Sequence, residues 1–291
     1  MKIIKKVKRG CTNVALIGTS ILLLAGIHSS QAAEIKIVSP SSYINREGEG
    51  AVENCCPAFR YQQVFPAEDF AALGNQPHWI VAFTWRPDQS VTNPLTVQLP
   101  DQQVRLSTTQ RGPGNLSLQF DDNLGSDVTQ FYRGPFITVA DAHSGPGPRE
   151  FYHVDFPAGV TPYLYDPSQG NLLFDVKAWQ GENPARADMI PGIQASLYAE
   201  PPIATQGDRG GAAIFKFTFV PVPKLSNPAW SGGQFQFTLT GETNVNYVIQ
   251  ASTNLQSWTG LATNSSPNAS RNITINAPNS RSFYRAVVGP Y

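Results

Sequence analysis

The chain is poor in cysteine: three in 291 residues, of which Cys11 lies in an N-terminal stretch with the features of an export signal. The other two, Cys55 and Cys56, are neighbours. No disulfide framework can hold this fold together, and the Cys-x-x-Cys spacing of redox and metal motifs is missing. Two adjacent thiols in an oxidising compartment close a strained ring, pair with another chain or stay reduced, and the sequence leaves all three open. Histidine is nearly as scarce, four in all, with His28 in the same N-terminal stretch. His78, His143 and His153 lack His-x-x-x-His or Cys/His spacing, which removes the expectation of a zinc centre. No Gly-x-Ser-x-Gly elbow occurs, so a serine hydrolase of that type is not expected. No run of Lys or Arg forms a basic patch, which argues against nucleic acid as a partner. Past residue 32 there is no long apolar run, so no membrane span is expected once a signal is removed.

What the chain has begins with that signal. Five cations and no acid in residues 1–10 precede an apolar run at 14–27 and a small-x-small site at Ser30-Gln-Ala32. Basic start, short apolar stretch and small-residue exit predict cleavage after Ala32 and a secreted, cell-surface or periplasmic protein. The formal neutrality of the whole chain is then misleading: losing five of 21 cations against 21 acids leaves the mature chain at −5.

Gly and Pro, 24 each, fall between short runs rich in Phe, Val, Ile, Thr and Trp, a punctuation that predicts many short strands. Several runs alternate with period two. Trp79, Val81, Phe83 and Trp85 are expected on one face, and so are Leu116, Leu118 and Phe120. The same reasoning groups Tyr152 with Val154 and Phe156, and Phe215 with Phe217 and Phe219. Such alternation places one face of a sheet on a core. Residues 66–74 alone look helical, with Pro first, acids in the first turn and Gly at the end. The expected fold is all-β: a larger antiparallel, jelly-roll-like sandwich over 33–220, then a small immunoglobulin- or fibronectin-like sandwich over 230–291. Pro-rich residues 221–229 are expected to be a semi-rigid spacer that cannot join a central ladder. Within the module, strands are expected near 246–251, 258–263, 271–275 and 282–288, with Trp258 and Tyr284 anchoring a thin core.

The run Tyr247-Val-Ile-Gln-Ala-Ser-Thr-Asn-Leu-Gln-Ser-Trp258, followed by Ser282-Phe-Tyr-Arg-Ala-Val287, resembles a C-terminal module of exported proteins from verrucomicrobia and related bacteria such as planctomycetes. The body resembles a family of secreted proteins from such bacteria. The matching pieces are Phe59-Arg-Tyr-Gln-Gln-Val-Phe-Pro66, Phe83-Thr-Trp-Arg-Pro-Asp88, Asn123-Leu-Gly-Ser-Asp127 and the run from Tyr163 through Asp175 to Val176. The resemblance implies location and architecture. It implies no activity and no catalytic residues.

Residues 121–127 carry the one cofactor expectation. Asp121, Asn123, the Gly125 carbonyl and Asp127 stand at alternate positions, an oxygen-rich spacing that suits Ca2+, although no distal bidentate acid follows. A solvated Asx turn uses the same residue types. Asp141-Ala-His143-Ser144 has the groups of a hydrolase triad, but close sequence neighbours rarely form one. On a strand at 172–179, Leu173, Asp175, Lys177 and Trp179 would share the polar face. An outward Trp179 beside Asp175 and Lys177 is a candidate sugar-stacking site, unless a loop or the module covers it. The leading expectation is a non-enzymatic protein for surface association or polymer binding, with an extracellular polysaccharide or cell-envelope component as partner. The rivals are a polysaccharide hydrolase using a pair such as Asp155 and Asp175, which needs about 5–9.5 Å between carboxyls, and a purely structural envelope protein. Asn-x-Ser/Thr sites at Asn115, Asn264, Asn268 and Asn272 would accept glycans in a eukaryotic secretory route, and the bacterial resemblance makes them uninformative.

Overall fold

The short branched and aromatic runs become strands in a computed structural model that describes residues 34–52, 58–74, 76–180, 186–265, 270–276 and 282–289. The expected signal, Cys55, Cys56 and Asn268 lie outside the described residues. The first strands are β1 (Ile35–Ser39), β2 (Gly50–Val52), β3 (Phe59–Phe65), β4 (His78–Trp85) and β5 (Leu95–Thr109). Next come β6 (Thr129–Ala140), β7 (His153–Asp155), β8 (Tyr163–Tyr165), β9 (Asn171–Gln180) and β10 (Ala187–Ile190). The body closes with β11 (Ser196–Ala199), β12 (Asp208–Gly210), β13 (Ala212–Ala213) and β14 (Phe215–Pro221). The module consists of β15 (Lys224–Ser231), β16 (Gln234–Thr240), β17 (Asn246–Ser252), β18 (Thr259–Ser265), β19 (Ser270–Asn276) and β20 (Phe283–Val288).

The architecture is all-β and antiparallel. In the body, a four-stranded sheet (β1-β14-β4-β8) faces a seven-stranded one (β12-β11-β3-β9-β5-β6-β7), with a small third sheet, β13-β10-β2. The core between the two large sheets is aromatic. Phe65, Phe83, Phe174, Phe215, Phe217 and Phe219 are buried in one cluster, and Phe65 meets Phe217 edge to face at 4.9 Å. The alternation of Phe215, Phe217 and Phe219 is therefore a true core face, with Lys216 and Thr218 turned the other way. The helical expectation at 66–74 resolves into 3-10 turns at Ala67–Leu73, kinked at Phe70 and ended by Gly74 at φ 63°. No helix among the described residues is long and apolar enough to cross a membrane.

Three expectations are corrected. First, Trp79 and Val81 do not share the face of Phe83 and Trp85. A bulge on β4 puts Ala82 opposite Thr218 but Ile80 opposite Phe219, leaving Val81 as the extra residue. One added residue reverses the faces on either side of it. Ile80, Phe83 and Trp85 thus enter the main core, while Trp79 and Val81 turn to the module.

Second, residues 224–229 are strand, which leaves only 222 and 223 as a connection. β15 pairs along β16, at the edge of the sheet β15-β16-β19. An edge position tolerates proline, and Pro228 falls at a register shift between Ser226 and Ala229. Asn227 there has a positive φ of 51°. With so short a connection, body and module share one apolar cluster of Val81, Val220, Phe237, Leu239, Tyr247 and Ile249 among others.

Third, Leu116, Leu118 and Phe120 do not form a strand face: Leu116 and Phe120 are buried, but Leu118 is half exposed. The segment makes one isolated bridge, Gln119 to Gln206, and the backbone before it is held by Asn123. Its side chain accepts from Ser117 N and donates to the Ser117 and Gln119 carbonyls, so it competes with any ladder for that backbone. The module's other strands fall within one or two residues of expectation. Of its expected anchors, Tyr284 stacks on Phe235 at 5.0 Å. Trp258 lies instead at the surface under Arg285, 4.2 Å from guanidinium carbon to ring.

Candidate functional site

Pairing on both sides of β9 decides what its polar face meets. Asp175 stands opposite Gln62 on β3 and Arg105 on β5, and Lys177 opposite Arg60 and Gln103. Residues of the 116–124 and 193–204 segments cover the neighbouring part of this face, burying Leu173 with Phe120 and Leu197. Asp175 is buried as a result, and its carboxylate is saturated. Oδ1 accepts from Arg60 Nε and Gln62 Nε2, both at 2.9 Å. Oδ2 accepts from Arg105 Nε at 2.8 Å. Arg60 continues to Asp121 Oδ1 at 2.7 Å and stacks over Phe120 at 4.5 Å. That hydrogen bond, opposed by burial and helped by the nearby cations, holds the Asp121 carboxyl below its ordinary value. Burial, then the charges of Arg60 and Arg105, lower the Lys177 ammonium.

Trp179 is half-buried, and one face of its ring is taken: the Arg133 guanidinium lies 4.2 Å above it and pairs with Asp101 at 2.8 Å. The three expected ligand groups are thus neighbours on one strand, but Asp175 serves as an internal counter-ion. Asp155 and Asp175 are not brought together. They stand on β7 and β9, separated by β5 and β6, so three strand spacings of about 4.8 Å exceed the separation a glycosidase uses. Among the described residues no hydrogen bond joins the side chains of Asp141, His143 and Ser144; the His143 amide bonds the Thr92 carbonyl at 3.1 Å.

The loop 121–127 distributes its oxygens among protein partners. Asp121 is turned to Arg60, Asn123 is buried on Ser117, Gln119 and Gln62, and Asp127 accepts from Thr108 N at 2.9 Å and Tyr163 Oη at 2.7 Å. Burial alone would raise the Asp127 carboxyl, yet the hydrogen bonds from Tyr163 and Thr108 outweigh it and hold the group low. Gly125 is present because the backbone passes so close to Thr108: a Cβ there would lie 1.9 Å from that carbonyl oxygen.

The same loop forms one wall of an open groove of about 680 Å³. Asp122, Asp127 and Asp166 supply carboxylates, Gln110 and Gln169 amides, and Arg111 a guanidinium. Pro77, Leu124 and Leu164 give it apolar ground. Gln110 Nε2 donates to the Gln169 carbonyl at 2.6 Å, fixing two lining residues to each other. Sequence reasoning reached Asp127 here for another reason and missed Gln110, Arg111 and Gln169. Polar residues in turns are the ordinary material of loops, and only the meeting of three loops makes them a surface.

Fold and site together define an all-β protein of stacked antiparallel sheets with a groove of mixed polar and apolar lining. No family model matches the chain, and no curated protein or solved structure is found to be similar to it.

Proposed function

We propose that the chain is an exported, non-enzymatic protein that binds an extracellular polymer, a glycan by chemistry, through the groove beside residues 122–127. The observation that carries this reading is the groove's lining: carboxylates, amides and a guanidinium set among apolar patches suit the hydroxyls and the C–H faces of sugar rings. Asp127 does not fit the general acid of a hydrolase, since its carboxyl is held low. The small C-terminal sandwich is read as immunoglobulin-like and as the part that associates with the cell surface. Affinity gels with a panel of soluble polysaccharides test the reading. Retention by at least one is expected, weakened several-fold by Arg111→Ala and Asp122→Ala and unaffected by Trp179→Ala. No retention by any polymer, or retention indifferent to both groove variants, sinks it.

A second reading, a structural envelope component, is favoured by Trp230, which is 60 % exposed near the end of β15, with Leu255 and Leu261 also exposed on the module. Concentration-dependent self-association that Trp230→Ser abolishes would support it.

A further inference from the structure

We infer that Glu47, Asp88 and Asp188 form a binding site for a hard divalent cation of the calcium class. The three come from separate parts of the chain: the loop before β2, the segment after β4, and β10. One oxygen from each lies within 4.8 Å of the others. A calcium ion bound at about 2.4 Å places ligand oxygens up to about 4.8 Å apart, twice the bond length, when they sit on opposite sides. The three oxygens are therefore no farther apart than the span of one calcium shell.

The backbone holds them there. Asp88 N donates to the Arg186 carbonyl at 3.1 Å and Asp188 N to the Arg86 carbonyl at 2.9 Å, an isolated bridge that pairs Pro87 with Ala187. Glu47 is tied in by the Gln89 amide, which donates to its Oε1 at 3.0 Å.

Two observations point to a ligand beyond the cluster itself. Asp188 is fully buried. Its Oδ2 accepts from Arg86 Nε at 2.8 Å and Gly48 N at 3.0 Å, but its Oδ1 is sealed from water with no donor, as is Glu47 Oε2. A buried carboxylate oxygen without a partner costs ~1–3 kcal/mol or more, and such an oxygen is a metal ligand in waiting. The second observation is charge. Three carboxylates face one buried guanidinium, Arg86, which pairs with Asp188 and also donates to the Tyr43 carbonyl at 2.8 Å. Two negative charges are left over, and one divalent cation cancels them. With oxygen ligands alone, and neither sulfur nor imidazole, the donor set selects a hard cation over zinc or copper. The ion would clamp the small β13-β10-β2 sheet to the end of β4.

The test is calorimetric titration of chelator-stripped mature protein with CaCl2, paired with thermal melts. One site per chain is expected, of roughly 0.1–1 mM affinity, as extracellular calcium modules show. The melting temperature should rise by roughly 3–10 °C in 10 mM Ca2+ over EGTA. Glu47→Gln and Asp88→Asn should each fold, weaken binding at least tenfold and remove the rise. Asp188→Asn is not the variant of choice, because it would also strand Arg86. The double variant Asp121→Asn, Asp127→Asn should bind as the parent does. The inference is overturned by the absence of heat and of any melting shift, by binding of Mg2+ or Zn2+ but not Ca2+, or by binding lost in the 121/127 variant and kept in Glu47→Gln.

Discussion

Arg60 and Asp175 form an ion pair sealed from water across the β3–β9 boundary, Nε to Oδ1 at 2.9 Å with both side chains almost wholly buried. Arg105 completes the arrangement from the other side of β9 at 2.6 Å. Two guanidiniums share one carboxylate, and removing the carboxylate leaves both without a buried counter-charge.

Asp175→Asn should therefore lose ~3–5 kcal/mol of stability in urea denaturation, the range for breaking a buried pair by one partner. Replacing Asp175, Arg60 and Arg105 together by apolar residues of similar volume should lose less than Asp175→Asn alone. A single-variant loss under about 1 kcal/mol would contradict this account of the sheet face.

Asp121 gives a pH dependence of known sign. Its folded value is lowered, with the Arg60 hydrogen bond as the largest cause. The stability it contributes is then complete above the ordinary value of 3.8 and is lost as pH falls through the lower folded value. The stability difference between the parent and Asp121→Asn should be flat from neutral pH to about 4 and shrink below it. Carboxyl NMR should show a midpoint under 3.8 for Asp121.

Val81 is the bulge residue that turns from the body to the module and shares its apolar cluster. Val81→Asp puts an unpaired carboxylate in that contact and should destabilise by more than ~2 kcal/mol. Limited proteolysis should then release fragments cut within residues 221–229 while the body resists. Phe217→Ala, in the main core, should instead cost ~3–5 kcal/mol and expose the whole chain to protease.

Gly125→Ala tests the close approach at Thr108. The added methyl would stand 1.9 Å from the carbonyl oxygen, so the loop must move. A loss of ~1–3 kcal/mol is expected, together with weakened retention on any polysaccharide the groove binds. Trp179→Ala, which removes a stack on Arg133 in partial contact with solvent, should cost about 1 kcal/mol for the cation–π contact plus a modest loss of packing.

Much of this was legible in the residues. Phe215, Phe217 and Phe219 alternate without interruption, and every one is in the core; Leu172, Phe174, Val176 and Ala178 do the same on β9. The module carries Gly241, Asn244, Asn254 and Ser257 in the connections between β16, β17 and β18. Legibility failed where one residue disturbed the count. The run 79–85 alternates as cleanly as 215–219, yet the bulge at Val81 sends half of it to a different cluster. Pro221, Pro223 and Pro228 suggest a spacer until β15 is seen on a sheet edge. At 116–120 the alternation is real, but the segment makes one isolated bridge to Gln206 and Asn123 takes the Ser117 backbone bonds.

The sites were less legible for the same kind of reason. Asp175 on a polar strand face reads as exposed, and only Arg60 and Arg105 from the flanking strands, with the covering segments, make it an internal ion. Glu47, Asp88 and Asp188 are far apart in the chain and share no motif.

Local order, then, was written into the chain itself: period-two spacing of apolar side chains and turn residues between them dictate strands, because a pleat alternates its faces whatever surrounds it. Which strands become neighbours, where a bulge reverses a face and which distant carboxylates converge are long-range matters. Those were settled only by the packing of the sheets, since a side chain's solvent and charge partners come from segments its own sequence neighbourhood does not contain.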